Sequence, residues 1–497
     1  MPAKYHIHVE PVANRSIPPG RYVTLERDGC LGCLECAKRQ CIYDVFKLRE
    51  YSPQQMRDSA DALCRNCLWC VQQCKRRLFS RQVNPDFAMM GDEYWRPAII
   101  AALWSQASDG KVPVSGAGYT GPFSGPGFDQ IWTDMSEIVR PTRDGIHGRE
   151  YINTSVDIGR KAARLAFDEA GNLTSPNQPL VSISLPIVVN LLPFGAVGKG
   201  LREAIALAAK HLDILAIRPA AELAEHGWPV DTTSHLVPYI RSEESLEPYD
   251  ELLSRVRAVE IDDTPKVFDR INQIKKAANR PGNEPLVIVR LPLVPGIAGR
   301  VVELAERKVE ALHLFADYRG CELESSAEAD DPAKLSSAAN PRFVSEVVAE
   351  VHEALIQAGL RDAISLIVSG GIALAEHVAK IIICGADVAA VDIPVLLANQ
   401  CRFCLNCRLD KPCPVDIENV QVDWSRQRIV NLFGSWHAQL IEVLGAMGLR
   451  EARRLRGESG RAMFFRDLER ESFGPIFGKR LDEKTQRTHH EGTKVTK

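Results

Sequence analysis

Twelve of the fourteen cysteines fall into three short groups, leaving Cys321 and Cys384 alone. The first group reads Cys30-x2-Cys33-x2-Cys36-x4-Cys41, and the second Cys64-x2-Cys67-x2-Cys70-x3-Cys74. A cubane iron–sulfur cluster needs four thiolates at the corners of a small tetrahedron. Three cysteines spaced by two residues can wrap three irons from one tight loop, so the fourth thiolate must come from a distance. Where two such runs occur together, each lends its last cysteine to the other's cluster. The spacing therefore assigns Cys30, Cys33, Cys36 and Cys74 to one [4Fe–4S] cluster and Cys64, Cys67, Cys70 and Cys41 to a second. Cys41 follows after four residues rather than three, and Ile42 and Lys75 stand where proline is usual. Zinc favours paired C-x2-C knuckles, whereas these triplets supply one thiolate too many for each knuckle.

The third group is Cys401-x2-Cys404-x2-Cys407-x5-Cys413, followed by Pro414. All four thiols come from one segment, which predicts a separate cluster. It is [4Fe–4S] if all four bind and [3Fe–4S] if three do, with zinc the weaker alternative. Cys384, in IIICG, reads as a buried small hydrophobe, and Cys321 as a loop thiol.

These groups need a scaffold, and the chain has length for more than one domain: 497 residues, 45% hydrophobic and 25% charged. The balance of 61 basic against 64 acidic side chains argues against nucleic acid as a partner. No apolar run is long enough to cross a bilayer, and the N-terminus lacks an apolar signal core. A cytoplasmic protein is expected, with thiols available for metal rather than disulfides. Residues 1–85 form the cluster-binding module, with RYVTLERD and YDVFKLRE as flanking strands. Residues 86–180, rich in Gly, Pro and Ser around VSGAGYTGPFSGPG, read as a loop-rich connector.

From about residue 181 short apolar strands alternate with amphipathic helices. PLVSISLPIVVN leads to GLREAIALAAKHL, and the alternation continues through SLIVSGG, LAEHVAKIIICG and DVAAVDI. This rhythm predicts a parallel sheet covered on both faces, and its length suits a (β/α)8 TIM barrel over 181–414. A doubly wound open sheet is the alternative. Residues 415–480 read as a helical extension, and 481–497 as a disordered tail.

Ser369, Gly370 and Gly371 end the penultimate strand of this barrel. Glycines there let backbone N–H groups approach an anion at a helix N-terminus, in the region where barrels commonly bind a cofactor phosphate. Gly385 opens the eighth strand and joins the candidate cofactor-binding set. Arg290 closes the buried strand LVIVR. It either faces an anionic substrate or cofactor at the barrel mouth or forms an internal ion pair, and it is the candidate catalytic residue.

The run from Ser369 to Ile417, with its Gly-Gly turn, Gly-Ala-Asp strand and cysteine loop ending in Cys-Pro-Val, resembles the FMN-binding barrel of the glutamate synthase large subunit. LPIVVNLLPFGAVGKG is similar to that family's first strand and helix. The cysteine-rich front end makes the chain similar to the compact archaeal-type form. The resemblance implies an FMN across the barrel mouth, reduced by way of the clusters and passing hydride to 2-iminoglutarate. Phe194, Gly195 and Ala196 would lie beside the flavin, Gly370 and Gly371 would hold its phosphate, and Cys401, Cys407 and Cys413 would bind the adjacent cluster. Several positions depart from the family: Pro193 replaces a small hydroxyl residue, Asp392-Ile393 replaces Gly-Thr, and the Gly-rich substrate loops are missing. The expected function is an iron–sulfur flavoprotein oxidoreductase with redox partner proteins and an altered small-molecule substrate. The alternatives are an electron-transfer subunit without its own substrate chemistry, and a ferredoxin- or NAD(P)H-linked glutamate synthase.

Overall fold

The structure, a computed structural model, describes residues 7–26, 29–47, 63–111, 127–133, 152–161, 165–172, 180–194, 197–225, 227–278, 284–324 and 341–478. Its centre is a closed barrel of eight parallel strands. In chain order these are Ile187–Val189, Leu215–Pro219, Leu236–Ile240, Ala258–Asp262, Leu286–Pro292, Ala311–Phe315, Ser365–Ser369 and Val388–Val391. The third, sixth, seventh and eighth strands are buried at every residue. Helices cover their outward side chains and the barrel interior takes the rest, which is why these strands read as continuous apolar runs. Ser369 ends the seventh strand, as the alternation predicts. The third strand, LVPYI, follows two short helices, Ala220–Ala224 and Val230–Thr233, in place of one long amphipathic helix.

PLVSISLPIVVN divides in two. Leu180–Ile183 pairs antiparallel with Val156–Gly159 below the amino ends of the barrel strands, and only Ile187–Val189 enters the barrel. The connector is more ordered than its composition suggests. RPAIIAALWSQASDG forms a helix, Pro97–Asp109, started by proline and ended by Gly110 in the left-handed region. It buries Ile99, Ile100, Leu103 and Trp104 against the long C-terminal helix Val422–Ala446. Gly, Pro and Ser elsewhere in the segment mask this apolar stripe when composition is averaged. The N-terminal segment around Glu10 crosses to the same place: Asn431 receives the Glu10 amide at 3.1 Å and donates to the Glu10 carbonyl at 2.7 Å.

In the N-terminal module Tyr22–Glu26 pairs antiparallel with Phe79–Val83. Of YDVFKLRE, Tyr43–Lys47 form no strand, and Leu48–Glu50 lie outside the described residues. Val45 and Phe46 are instead buried in turns, in a small core with Cys36, Ala37 and Phe79. Their alternation serves that core rather than a ladder. The tail 481–497, Gly195 and Ala196 lie outside the described residues. Among the described residues no helix is long and apolar enough to cross a membrane.

Candidate functional site

The two N-terminal cysteine runs interleave. Cys41 lines one cavity with Cys64, Cys67 and Cys70, walled by Trp69, Phe46 and Arg81. Cys74 comes near the other run: burial pushes the Cys36 thiol up to about 12, with Cys74, Cys70, Cys33 and Cys30 each raising it further. Backbone amides turn toward the sulfurs, as loops that wrap a cluster require. Gly32 donates to Cys30 Sγ at 3.5 Å, Asn66 to Cys64 Sγ at 3.3 Å and Leu78 to Cys74 Sγ at 3.4 Å. Leu34, Asn66 and Leu68 adopt positive φ, which curls each loop tightly enough to present these amides.

The third group converges on its own cavity, lined by Cys401, Cys404, Cys407, Cys413 and Phe194. Phe403 N–H donates to Cys401 Sγ at 3.4 Å. Trp104 Nε1 donates to the Cys401 carbonyl at 3.1 Å, and the Gln400 side chain accepts from the amides of Arg15 and Ser16. The connector and the N-terminal segment therefore fix the loop on the barrel. Gln400, with φ of 65°, carried no signal in the sequence.

A single tetrahedral zinc ion with Zn–S bonds of about 2.3 Å would draw its sulfurs to about 3.8 Å apart. Among the described residues the one group of three or more ligating atoms all within 4.8 Å of one another is Asp129, Glu376 and His377. The three thiol sets are thus spread more widely than one zinc ion requires. The Asp129 group does not suit a metal either. Asp129 pairs with Arg96 at 2.5 Å and Glu376 with Lys380 at 3.3 Å. His377 Nδ1 accepts the Ala373 N–H at 3.1 Å, so a neutral ring carries its proton on Nε2, the atom otherwise left to ligate.

At the carboxyl ends of the strands Arg290 is 4% exposed. Its Nη1 lies 3.7 Å from Glu260 Oε2 and 3.5 Å from Asn190 Oδ1, and its guanidinium stacks over Phe315 at 4.2 Å. The internal ion pair is therefore present, at the mouth rather than away from it. Glu260 also bonds His313 Nδ1, and His313 Nε2 bonds Ser369 Oγ at 2.9 Å. Burial pushes the His313 ring below its usual range. Burial would push Glu260 up, but His313 and Arg290 outweigh it and hold the carboxyl below the ordinary range. This buried chain of carboxylate, imidazole and hydroxyl was not anticipated. Its one signal in sequence is a charged or titratable residue inside each of the apolar strands AVEID and ALHLF.

Gly370 and Gly371 have φ of 110° and 68°. A Cβ on Gly370 would lie 2.7 Å from the Asp317 carbonyl, and one on Gly371 2.7 Å from the Arg319 carbonyl. Glycine is required twice over, by conformation and by the close approach of the loop after the sixth strand. Tyr94 hydroxyl donates to the Gly371 carbonyl, closing the turn from the connector side. The following helix, Ala375–Ile383, has no side-chain cap. Asp392 turns onto the Ile393 amide at 2.6 Å, and burial pushes its carboxyl up to about 6. Gly385 lies at the other end of the barrel. Its carbonyl accepts from Arg361 at 2.6 Å and a Cβ there would meet His352 at 2.4 Å, so it packs a helix onto a strand's amino end and is removed from the cofactor-binding set. Phe194, Tyr318, Phe403 and Trp95 form an aromatic layer between the mouth and the third cysteine loop, with Phe194 and Phe403 centroids 5.4 Å apart.

Residues 327–450 match the family described as the conserved region in glutamate synthase. The archaeal-type glutamate synthase [NADPH] of Dehalococcoides mccartyi is 23% identical over 86% of this chain and 92% of its own length. The archaeal glutamate synthase [NADPH] of Archaeoglobus fulgidus is 24% identical over 92% of this chain and 96% of its own. Among solved structures, the flavin-binding domain of baker's yeast flavocytochrome b2 aligns at 12% identity and a TM-score of 0.40, covering 74% of this chain and 83% of that one. Mandelate oxidase with 3,3-difluoro-2-hydroxy-3-phenylpropionic acid aligns at 13% identity and a TM-score of 0.36, covering 66% and 91%. The barrel assignment rests on the closure of its own eight strands and takes no weight from these two structures.

Proposed function

We propose that the chain is a divergent member of the glutamate synthase family and an iron–sulfur flavoprotein oxidoreductase with an altered substrate. Its N-terminal module is read as a two-cluster ferredoxin-like α+β domain. Cys30, Cys33, Cys36 and Cys74 would hold one [4Fe–4S] cluster, and Cys41, Cys64, Cys67 and Cys70 a second. Cys401, Cys404, Cys407 and Cys413 would hold a third, of [4Fe–4S] or [3Fe–4S] type. The observation that carries the proposal is Cys41 in one cavity with Cys64, Cys67 and Cys70 of the other run, a crossing that one zinc ion per run would not need.

FMN would be held at the barrel mouth by Phe194 and the Ser369–Gly371 turn, with Arg290 supplying positive charge. The glycine backbone and the uncapped helix after it suit a phosphate. Asp392, with its carboxylate turned onto the Ile393 amide of its own helix, opposes an anion less than an outward aspartate would. When bound, FMN supplies the exchange between one-electron and hydride chemistry. The chain's own residues do the rest. Arg290 keeps a cation at the mouth, the layer of Phe194, Tyr318 and Phe403 excludes water beside the third cysteine loop, and His313 holds the Ser369 hydroxyl proton at Nε2. Redox partner proteins would deliver electrons to the N-terminal module, in a reducing, cytoplasmic setting.

A second reading, electron transfer without a flavin, is favoured by Asp392, an acidic side chain directly after the eighth strand where the resemblance expects Gly-Thr. Protein purified without oxygen and then denatured decides between them. Released FMN in proportion to chain supports the first; clusters without flavin support the second.

A further inference from the structure

The two N-terminal cysteine sets are built alike but are not electrostatically equivalent. In the ladder between Tyr22–Glu26 and Phe79–Val83, Thr24 stands directly opposite Arg81, so both side chains leave the same face. Thr24 is buried, and its hydroxyl accepts from Arg81 Nη1. Arg81 Nη2 donates to Cys64 Sγ and, at 3.4 Å, to the Tyr22 carbonyl. The guanidinium is thus clamped against one sulfur, in the wall of the cavity that Cys41, Cys64, Cys67 and Cys70 share.

Among the described residues nothing equivalent meets the other set. Among the described residues, hydrogen bonds to its sulfurs come from the backbone amides of Gly32 and Leu78. Arg76, the guanidinium beside that loop, donates to the Gly29 carbonyl at 3.1 Å rather than to sulfur.

We propose that Arg81 is a positioning residue that separates the two N-terminal clusters in reduction potential, making the one held by Cys41, Cys64, Cys67 and Cys70 the easier to reduce. The proposal rests on the iron–sulfur reading above. Reduction adds one electron to a cluster and makes it more negative. A permanent cation hydrogen-bonded to a ligating sulfur stabilises the more negative state, and hydrogen bonds to sulfur are among the main determinants of cluster potential. Arginine suits this role because it stays charged and its planar fork can hold hydroxyl and sulfur at once. The cluster beside Arg81 then fills first, and electrons collect there before the other N-terminal cluster is reduced.

The test is a redox titration of the full chain, prepared anaerobically and followed by electron paramagnetic resonance, with iron and sulfide measured on the same samples. Wild type should show two separate N-terminal reduction steps. Arg81→Met should move the higher step downward by at least tenfold in its equilibrium constant, 59 mV for one electron, and leave the lower step in place. Thr24→Val keeps the cysteines and the guanidinium but removes part of the clamp, and should shift the same step in the same direction by less. It decides the matter if Arg81→Met fails to take up iron. Full iron content with no movement in either variant, or with both steps moving equally, overturns the proposal. Wild type without iron and sulfide instead overturns the reading beneath it.

Discussion

Replacing Glu260 with methionine isolates the buried charge at the barrel mouth. Glu260 is fully buried and Arg290 is 4% exposed, so neither charge is well screened by solvent. Removing the carboxylate leaves the guanidinium with one long hydrogen bond, 3.5 Å to Asn190, its contacts with the Phe315 and Tyr239 rings, and the weaker influence of Asp392. It also removes the hydrogen bond to His313 Nδ1. Breaking one side of a buried pair costs about 3–5 kcal/mol, mostly because the remaining charge is uncompensated. Removing both charges is often close to neutral. Glu260→Met should therefore destabilise the protein by about 3–5 kcal/mol, and Glu260→Met with Arg290→Met should recover most of that loss. Urea unfolding followed by tryptophan fluorescence, on samples matched for metal content, measures both. A single-variant loss below about 1 kcal/mol, or a double variant as unstable as the two singles combined, would refute a coupled buried pair.

Asp392 makes an opposite prediction. Its carboxyl is raised from 3.8 to about 6 by burial, so the folded state disfavours its ionised form. The wild type loses stability from this group as pH rises through about 6, and regains it as pH falls toward the unfolded value. Asp392→Asn should stabilise the protein by up to about 3 kcal/mol at pH 7.5 and by nothing at pH 4; an equal gain at both would show that charge is not the cause. Gly371→Ala and Gly385→Ala should each cost about 2 kcal/mol or more by strained φ and backbone or ring contact. Only the first should lower bound flavin per folded chain, and equal flavin loss from both would return Gly385 to the site.

The barrel was legible because parallel strands buried on both faces leave little choice of residue: SLIVS and DVAAV can hardly be anything else. The strand LVPYI was harder to place, since its proline and two short preceding helices break the alternation. YDVFKLRE has strand-like alternation, yet Val45 and Phe46 spend it on the core around Cys36. In the site, cysteine spacing announced the three sets, because ligand chemistry fixes both residue type and separation. The Glu260–His313–Ser369 chain was not legible, since its members lie on the fourth, sixth and seventh strands and meet only when the barrel closes. Arg81 was hidden for the same reason, its partner Cys64 being brought near by a ladder that no local pattern encodes.

The most direct measurement is metal and acid-labile sulfide per chain in protein purified without oxygen. The ligand sets predict about eleven or twelve irons with matching sulfide, and broad absorbance near 400 nm that bleaches on reduction. Colourless protein carrying stoichiometric zinc and no sulfide would contradict the central claim.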